Sequence, residues 1–527
     1  MKKRILLLSF LLMLCLAGCA ERTTVKHVER EPHLSLAQTL FQAQPETVAY
    51  PLEPGEPLSV ALPLRYNGEG VDGAFYRELR EATGVELELH FLPSEEYRMN
   101  LISMVASEEF PDLTWGFDLT LQAFEEELLE LEDYIQTDAP NYLSWLKRDQ
   151  ETMASVLPDE GSVYQFYSLM ETPRDASYMG PVVRQDLLDQ YGLERPETYG
   201  DWEQVLLTLR DAVPDPLNLS YDALTGANWL CAGYDVSLAM GGLDRGFYQV
   251  DGVVKYGPLE PGFTDCVAML RDWYDQGLIT SRFLDFPDLS SSDYLLKMAN
   301  GDSAIFFLGY DRLESLTAVS EIQGFQAVPL PDPVREPGQE SHLCQYRGDP
   351  VYQVTFAISA ACAQPERAVR FVDYLYSQEG VRLCCMGREG VTYTLSGGTP
   401  EFTALQDEQR LQENTSLVLT GVLLEQRYEQ MMEPAFFQAQ EGWMARKDGD
   451  YMLPVHIYYG YDDDETVGDL IDLALEMNTY AEQQLLLLIS GQTPLEEIPN
   501  IQAKLREMGA EDCIAMVQDR VDGFYGR

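Results

Sequence analysis

The sequence predicts an α/β protein of more than one domain, ending in a helical C-terminal region. Three observations carry that prediction. Once an N-terminal export segment and a polar stretch are set aside, about 470 of the 527 residues remain, more than a single hydrophobic core organises. Strand and helix patterns alternate along the chain, and the alternation occurs twice. From Phe402 onward helical periodicity takes over.

The chain opens with Lys2, Lys3 and Arg4, followed by an apolar stretch from Ile5 to Leu16 that only Ser9 interrupts. This is a secretory signal over residues 1–18, too short to span a bilayer as a mature helix. The small residues of Leu16-Ala17-Gly18-Cys19 resemble the lipobox of bacterial lipoproteins. That resemblance implies a diacylglycerol on the thiol of Cys19, which becomes the new N-terminus, and acyl chains in that number suffice for stable anchoring. From Thr23 to Pro57 the chain is polar and dotted with prolines, so residues 19–57 read as a flexible tether. No later apolar run is long enough to cross a membrane.

In the body, Leu58 to Leu62 is a short strand. Phe75, Leu79 and Ala82 mark one face of a helix that ends at Gly84. Val85, Leu87, Leu89 and Phe91 alternate with polar residues as a half-buried strand does. Tyr97, Leu101 and Val105 return to helical spacing, and Pro111-Asp112-Leu113-Thr114-Trp115 begins a third strand. The order β-α-β-α-β predicts a mostly parallel sheet covered by helices. The same grammar recurs in the stripes Trp202-Val205-Leu206-Leu209 and Phe263-Val267-Leu270-Tyr274 and in the apolar strand Ala304 to Leu308. After Pro329-Leu330-Pro331-Asp332-Pro333, which continues neither helix nor central strand, Val354, Phe356 and Ile358 alternate once more. Pro365 then opens a helix carrying Ala368, Val372, Leu375 and Tyr376 on one face, and Ala481 to Ile489 and Ile501 to Met508 are further helical stretches.

Asp and Glu number 87 against 36 Lys and Arg, a formal charge of −51, which loss of Lys2, Lys3 and Arg4 with the signal takes to −54. Such a surface repels phosphates, so nucleic acid is excluded as a partner. Of nine cysteines, seven remain beyond Cys15 and Cys19. Their spacing forms neither a disulfide framework nor a zinc pattern, and adjacent Cys384 and Cys385 read as small buried apolar residues rather than a redox pair. The histidines His27, His33, His90, His342 and His456 show no zinc spacing. Asp462-Asp463-Asp464-Glu465 lacks the spaced oxygen ligands of a calcium loop and reads as a solvated loop, so no metal and no cofactor are expected. Neither a Gly-x-Ser-x-Gly elbow nor a phosphate-binding Gly-x-x-x-x-Gly-Lys loop is present.

Several phrases, in order, resemble family 1 extracellular solute-binding proteins, especially the large sugar-binding lipoproteins of Gram-positive bacteria. They are Glu81-Ala82-Thr83-Gly84-Val85, the run Met104 to Asp112, Ala139-Pro140-Asn141, Val183 to Asp189 with Tyr191-Gly192-Leu193, and Pro196-Glu197-Thr198. Tyr274 to Ile279, Phe371 to Gly380, Gly387 to Tyr393 and Ile489 to Leu495 continue the series, which covers nearly the whole mature chain. The middle, around Leu217 to Asp265, and the acidity depart from it. The resemblance implies a two-lobe periplasmic-binding-protein-like fold of type II, each lobe a mostly parallel sheet flanked by helices, with a helical C-terminal region. Lobe 1 is expected over 58–172 plus 325–395, and lobe 2 with the C-terminal helices over 173–324 plus 396–527. The crossings fall near Met170 to Tyr178 and Gly324 to Pro333. The implied function is capture of a small solute, a sugar or oligosaccharide, by a monomer that delivers it to the permease subunits of an ABC importer on the extracytoplasmic face of the membrane.

Ligands of open α/β sheets lie at the carboxyl ends of strands. That nominates Arg65, Tyr66 and Asn67 after the first strand, with a flanking turn as their plain alternative. Trp115 and Asp118 follow the third: a ring for a sugar to stack on and a carboxylate for its hydroxyls, against a core tryptophan and a solvated acid. Maltose-binding-type proteins carry a similar pair. In the second lobe the candidates are Asn228 and Trp229 in a Gly-rich loop, Tyr310 and Arg312 after the apolar strand, and Tyr178 on the crossing segment, where Arg184 is a further possibility. Rival functions are an exported carbohydrate-active enzyme, since paired carboxylates do acid and base work, and a binding protein that feeds a membrane sensor.

Overall fold

The computed structural model describes residues 36–64, 73–93, 96–107, 110–116, 125–158, 162–219, 230–238, 246–279, 291–397, 399–403, 419–457 and 465–526. Along the chain the strands are β1 (Leu58–Leu64), β2 (Leu87–Pro93), β3 (Leu113–Trp115), β4 (Gln165–Met170), β5 (Met179–Arg184), β6 (Asp215–Leu217) and β7 (Phe247–Val250). They continue as β8 (Val253–Tyr256), β9 (Ser303–Gly309), β10 (Ala327–Pro329), β11 (Val351–Ile358), β12 (Tyr393–Ser396), β13 (Thr399–Phe402) and β14 (Val422–Leu423). One sheet has the order β14-β4-β11-β3-β1-β2 and a second the order β10-β5-β9-β6, with β12-β13 and β7-β8 as separate ribbons. None of the described helices is long and apolar enough to cross a membrane.

Both sheets are mixed, where mostly parallel ones were expected. In the first, β1 runs parallel to β2 and β3, and β14 to β4, but β11 is antiparallel to both β3 and β4. In the second, only β6 and β9 are parallel; β5 opposes β9 and β10 opposes β5. A parallel neighbour needs a covering crossover. β5 and β11 instead enter their sheets directly from the other lobe, which brings them in antiparallel.

Each sheet organises its own core. Around the first lie Leu79, Val85, Tyr142, Phe166, Phe356, Val372 and Leu375, all buried. The helix Ala74–Thr83 buries Phe75, Tyr76 and Leu79 and ends at Gly84, whose φ of 71° only glycine adopts freely. The second core is built on β9, buried at every position, with Trp202, Trp273 and Trp443 packed among its neighbours. Such an uninterrupted apolar strand is what burial on both faces requires. A capping box, Thr198 with Asp201, starts the helix Tyr199–Leu209 that covers it.

Three features depart from expectation. Residues 36–57 do not hang free: the helix Leu36–Gln42 buries Ala37 and Leu40, and Leu52 N–H donates to the Thr83 carbonyl at 2.8 Å. The Tyr50 ring meets Tyr374 edge-on at 5.0 Å. The expected tether over 19–57 is therefore docked on the first lobe from Leu36. Second, β10 belongs to the second sheet and β14 to the first, so the chain returns to lobe 1 after Leu330 rather than at 325, and residues 419–423 belong with lobe 1. Third, Cys231 and Cys266 are disulfide-bonded across 35 positions, a pairing that spacing alone did not reveal. The tail, by contrast, is helical as expected, in three successive helices, Glu465–Ile489, Ile498–Met508 and Ala510–Gly526. Cys384 and Cys385 are free and buried, and burial pushes both thiols up.

Candidate ligand-binding seam

Three segments pass between the lobes. Residues 171–178 link β4 to β5 and 331–350 link the second sheet to β11. Residues 424–433 lead from β14 to the helix Pro434–Trp443, whose Trp443 indole donates to the Pro181 carbonyl at 2.9 Å in lobe 2. The third crossing was not foreseen. Strand directions show which edges these crossings join. β1, β3, β4 and β14 all point their carboxyl ends to one edge of the first sheet, and residue 171 leaves from it. On the second sheet the carboxyl ends of β6 and β9 share an edge with the amino end of β5, where residue 178 arrives.

The crossings are tied to one another there. Ala176 and Tyr346 form an antiparallel bridge, with N···O distances of 2.8 and 3.0 Å. The Asp175 carboxylate accepts from the backbone N–H groups of Gly348 and Gly449, both at 2.8 Å. Gln345 Oε1 accepts from the amides of Tyr178 at 2.8 Å and Met179 at 3.2 Å. Arg174 pairs with Glu425 and Glu429 on the third crossing.

At this junction aromatic rings from four parts of the chain meet. Tyr178 lies 6.4 Å from Tyr310, 6.0 Å from Tyr346 and 5.5 Å from Phe436, centroid to centroid, and Tyr310 lies 5.2 Å from Phe436. The Tyr428 hydroxyl is hydrogen-bonded to that of Tyr178. Phe436 is buried, while Tyr346 stays 40% exposed, so the cluster has both a floor and an open face. Burial, then the neighbouring carboxylates Glu433 and Asp311, push the Tyr310 hydroxyl up. Burial and Asp349 push that of Tyr346 up to about 12. Both stay protonated at neutral pH, so they can donate as well as accept hydrogen bonds. Apolar ring faces edged with such hydroxyls suit a polyhydroxylated ring.

The structure brings Tyr178 and Tyr310 together. Arg312 lies two residues on in the helix Tyr310–Val319, and its guanidinium donates to the Ser291 carbonyl at 3.2 Å and so ties down the start of the helix Ser292–Ala299. Trp115 ends β3 at the seam edge, yet it is 4% exposed and belongs to the first core. Its carbonyl accepts from the Tyr97 hydroxyl at 2.7 Å. The free face expected of it is not presented, because a three-residue strand held between β1 and β11 keeps its last ring inside. Arg184 lies at the opposite end of β5, 3% exposed and clasped to Asp186 at 2.6 and 2.7 Å, away from the seam. Arg65, Tyr66, Asn67, Asp118, Asn228, Trp229 and Cys19 lie outside the described residues, as does most of the acidic run at 462–465.

Sequence reasoning missed Tyr346, Tyr428 and Phe436. None sits at the end of a readable strand, and only the two later crossings carry them to Tyr178. It also missed the proximity of His342 to Asp448 and Asp450, whose ligand atoms lie within 4.8 Å of one another. His342 Nδ1 is 3.0 and 3.2 Å from the two Asp448 oxygens, the geometry of a His–Asp hydrogen bond.

Comparison with known proteins agrees with this architecture. Residues 67–382 match the family described as bacterial extracellular solute-binding protein. Lipoprotein LipO of Bacillus subtilis (strain 168) is 22% identical over 355 residues, 63% of this chain, and the chain spans 66% of that protein's length. Among solved structures, an extracellular solute-binding protein from Bifidobacterium longum subsp. infantis superposes with a TM-score of 0.63 at 17% identity, covering 89% of this chain and 99% of that one. An HMO-binding, ABC-transporter-associated solute-binding protein from the same species gives a TM-score of 0.62 at 16% identity over the same shares. The S. pneumoniae ABC-transporter substrate-binding protein FusA in complex with kestose gives 0.56 at 16%, again covering 89% and 99%. These likenesses show the two-lobe, type II periplasmic-binding-protein-like fold, and with the match over residues 67–382 they mean that this chain belongs to the bacterial extracellular solute-binding protein family.

Proposed function

We propose that this chain captures a small carbohydrate between its lobes and passes it unchanged to the permease subunits of an ABC importer, as a monomer held to the extracytoplasmic face of the membrane by a lipid on Cys19. The observation that carries the ligand class is the aromatic cluster of Tyr178, Tyr310, Tyr346 and Phe436 where the crossings meet. Tyrosine rings stack on the apolar faces of sugars while their hydroxyls serve the sugar oxygens. The ligands named for the HMO-binding and kestose-bound relatives point the same way. The loops after β1, β3 and β6, with Arg65, Tyr66, Asn67, Asp118, Asn228 and Trp229, are proposed to complete the site from the same edges.

The deciding experiment is a thermal-shift screen over neutral oligosaccharides, followed by chromatography of the incubated sugar. A raised Tm with the sugar recovered intact supports capture. New products would mean an enzyme instead. Tyr178→Ala and Tyr310→Ala should each weaken binding about tenfold, the loss of one stacked ring and its buried area; unchanged affinity in both would remove the seam from the site.

A further inference from the structure

We propose that this seam selects by charge, admitting neutral or amino-bearing carbohydrates and turning away those that carry a carboxylate or phosphate. The inference rests on the seam being the carbohydrate site.

The charge pattern around the rings is one-sided. Asp311 follows Tyr310 in the first turn of its helix and folds back across the end of β9: its Oδ1 lies 2.5 Å from where a Cβ on Gly309 would stand. The exposed carboxylate thus lies over the strand end at the seam edge, in space that glycine at 309 leaves open. Glu433 precedes the helix Pro434–Trp443 without capping it by its side chain. Its field reaches the Tyr310 hydroxyl, as that of Asp311 does. Among the described residues neither Asp311 nor Glu433 has an ion-pair partner within 4.0 Å. A third carboxylate, Asp349, lies beside Tyr346 and is met by His456 at 3.0 and 3.1 Å.

The cations nearby are already engaged. Arg174 faces two carboxylates, Glu425 and Glu429, and so leaves one negative charge over. Arg312 keeps its charge but holds its guanidinium against the Ser291 carbonyl. A uronate or phosphosugar placed on Tyr178 and Tyr310 therefore meets Asp311 and Glu433, while the guanidiniums of Arg174 and Arg312 are turned to other acceptors. Closing the lobes displaces water and lowers the effective dielectric, which strengthens that repulsion. A protonated amino group would experience the opposite sign and could also sit over a tyrosine face. The net charge of −51 adds a long-range field of the same sign.

The test uses isothermal titration of the mature chain with maltotetraose, xylotetraose, galactotetraose, tetra-N-acetylchitotetraose and tetraglucosamine. Whichever neutral backbone binds is then compared with its C6-oxidised uronate form, with tetragalacturonate for galactose, or, since xylose has no C6, with a xylotetraose bearing a glucuronate branch. The neutral member should bind at least tenfold more tightly than the uronate. In an Asp311→Asn, Glu433→Gln double variant that gap should shrink threefold or more, while affinity for the neutral sugar stays within threefold. Raising NaCl from 50 to 500 mM should narrow the wild-type gap as well. A uronate bound within threefold of its neutral parent, or a gap the double variant leaves intact, overturns charge selection while the carbohydrate site stands. No heat with any of the sugars overturns both.

Discussion

Burying a carboxylate without a cation is costly unless donors converge on it, and Asp373 is held in that way. It is fully buried and accepts from the Tyr142 amide at 2.9 Å, Asn141 Nδ2 at 2.7 Å and the Tyr50 hydroxyl at 3.3 Å. One side chain thereby joins the helices Pro140–Leu146 and Pro365–Tyr374 to the docked N-terminal segment. Burial outweighs the donors and pushes its carboxyl up to about 6. A raised acid binds its proton more tightly folded than unfolded. Its stabilising contribution is thus complete below about pH 4 and lost as pH rises through about 6, with a ceiling of about 3 kcal/mol. Asp373→Asn removes that dependence, so the Tm difference between wild type and variant should be larger at pH 5 than at pH 7.5. A constant difference would mean that Asp373 is ionised throughout. Single residues such as this were the least legible part of the sequence. The position of Trp115 at a strand end could be read, but its burial depends on β11 and Tyr97, far away in sequence. Tyr310 could be nominated from its strand and Tyr178 from the first crossing; Tyr346 and Phe436 could not, because the two later crossings bring them there.

At the scale of elements, periodicity was informative wherever one face of a segment is buried. The helices at Ala74–Thr83, Tyr199–Leu209 and Pro365–Tyr374 and the strands β1, β9 and β11 all stand where their apolar spacing put them. Strand direction was not legible, since an antiparallel entry and a parallel one share the same alternation. Nor was the pairing of Cys231 with Cys266, which fastens the chain just after residue 229 to the helix Pro261–Asp275. Closing a loop of 35 residues is worth about 3–4 kcal/mol in a chain-entropy estimate. The mature chain carrying Cys19→Ser should therefore show five free thiols when unfolded without reductant, Cys344, Cys362, Cys384, Cys385 and Cys513, and two more after reduction. Cys266→Ser should lower the Tm by several degrees. Seven thiols before reduction would refute the pairing.

For the whole molecule, the three crossings meet where the aromatic rings gather, so lobe closure and ligand contact are expected to be coupled. Gly348 is a tight point between crossings: a Cβ there would lie 2.5 Å from the Arg174 amide nitrogen, on the crossing opposite, and its own N–H is already held by Asp175. Gly348→Ala must push the first and second crossings apart, disturbing the Ala176–Tyr346 bridge and with it the placement of Tyr178 and Tyr346. Neither core contains Gly348, so both lobes should keep their helix content by circular dichroism. Hinge positions change binding without touching ligand. Small-angle scattering of the wild type should show a smaller radius of gyration at saturation with a neutral oligosaccharide than without it. In Gly348→Ala that compaction should diminish and affinity fall about tenfold, equivalent to about 1.4 kcal/mol. An identical scattering profile for the wild type with and without bound sugar would rule out hinge closure, and wild-type affinity in the alanine variant would separate the seam's geometry from binding.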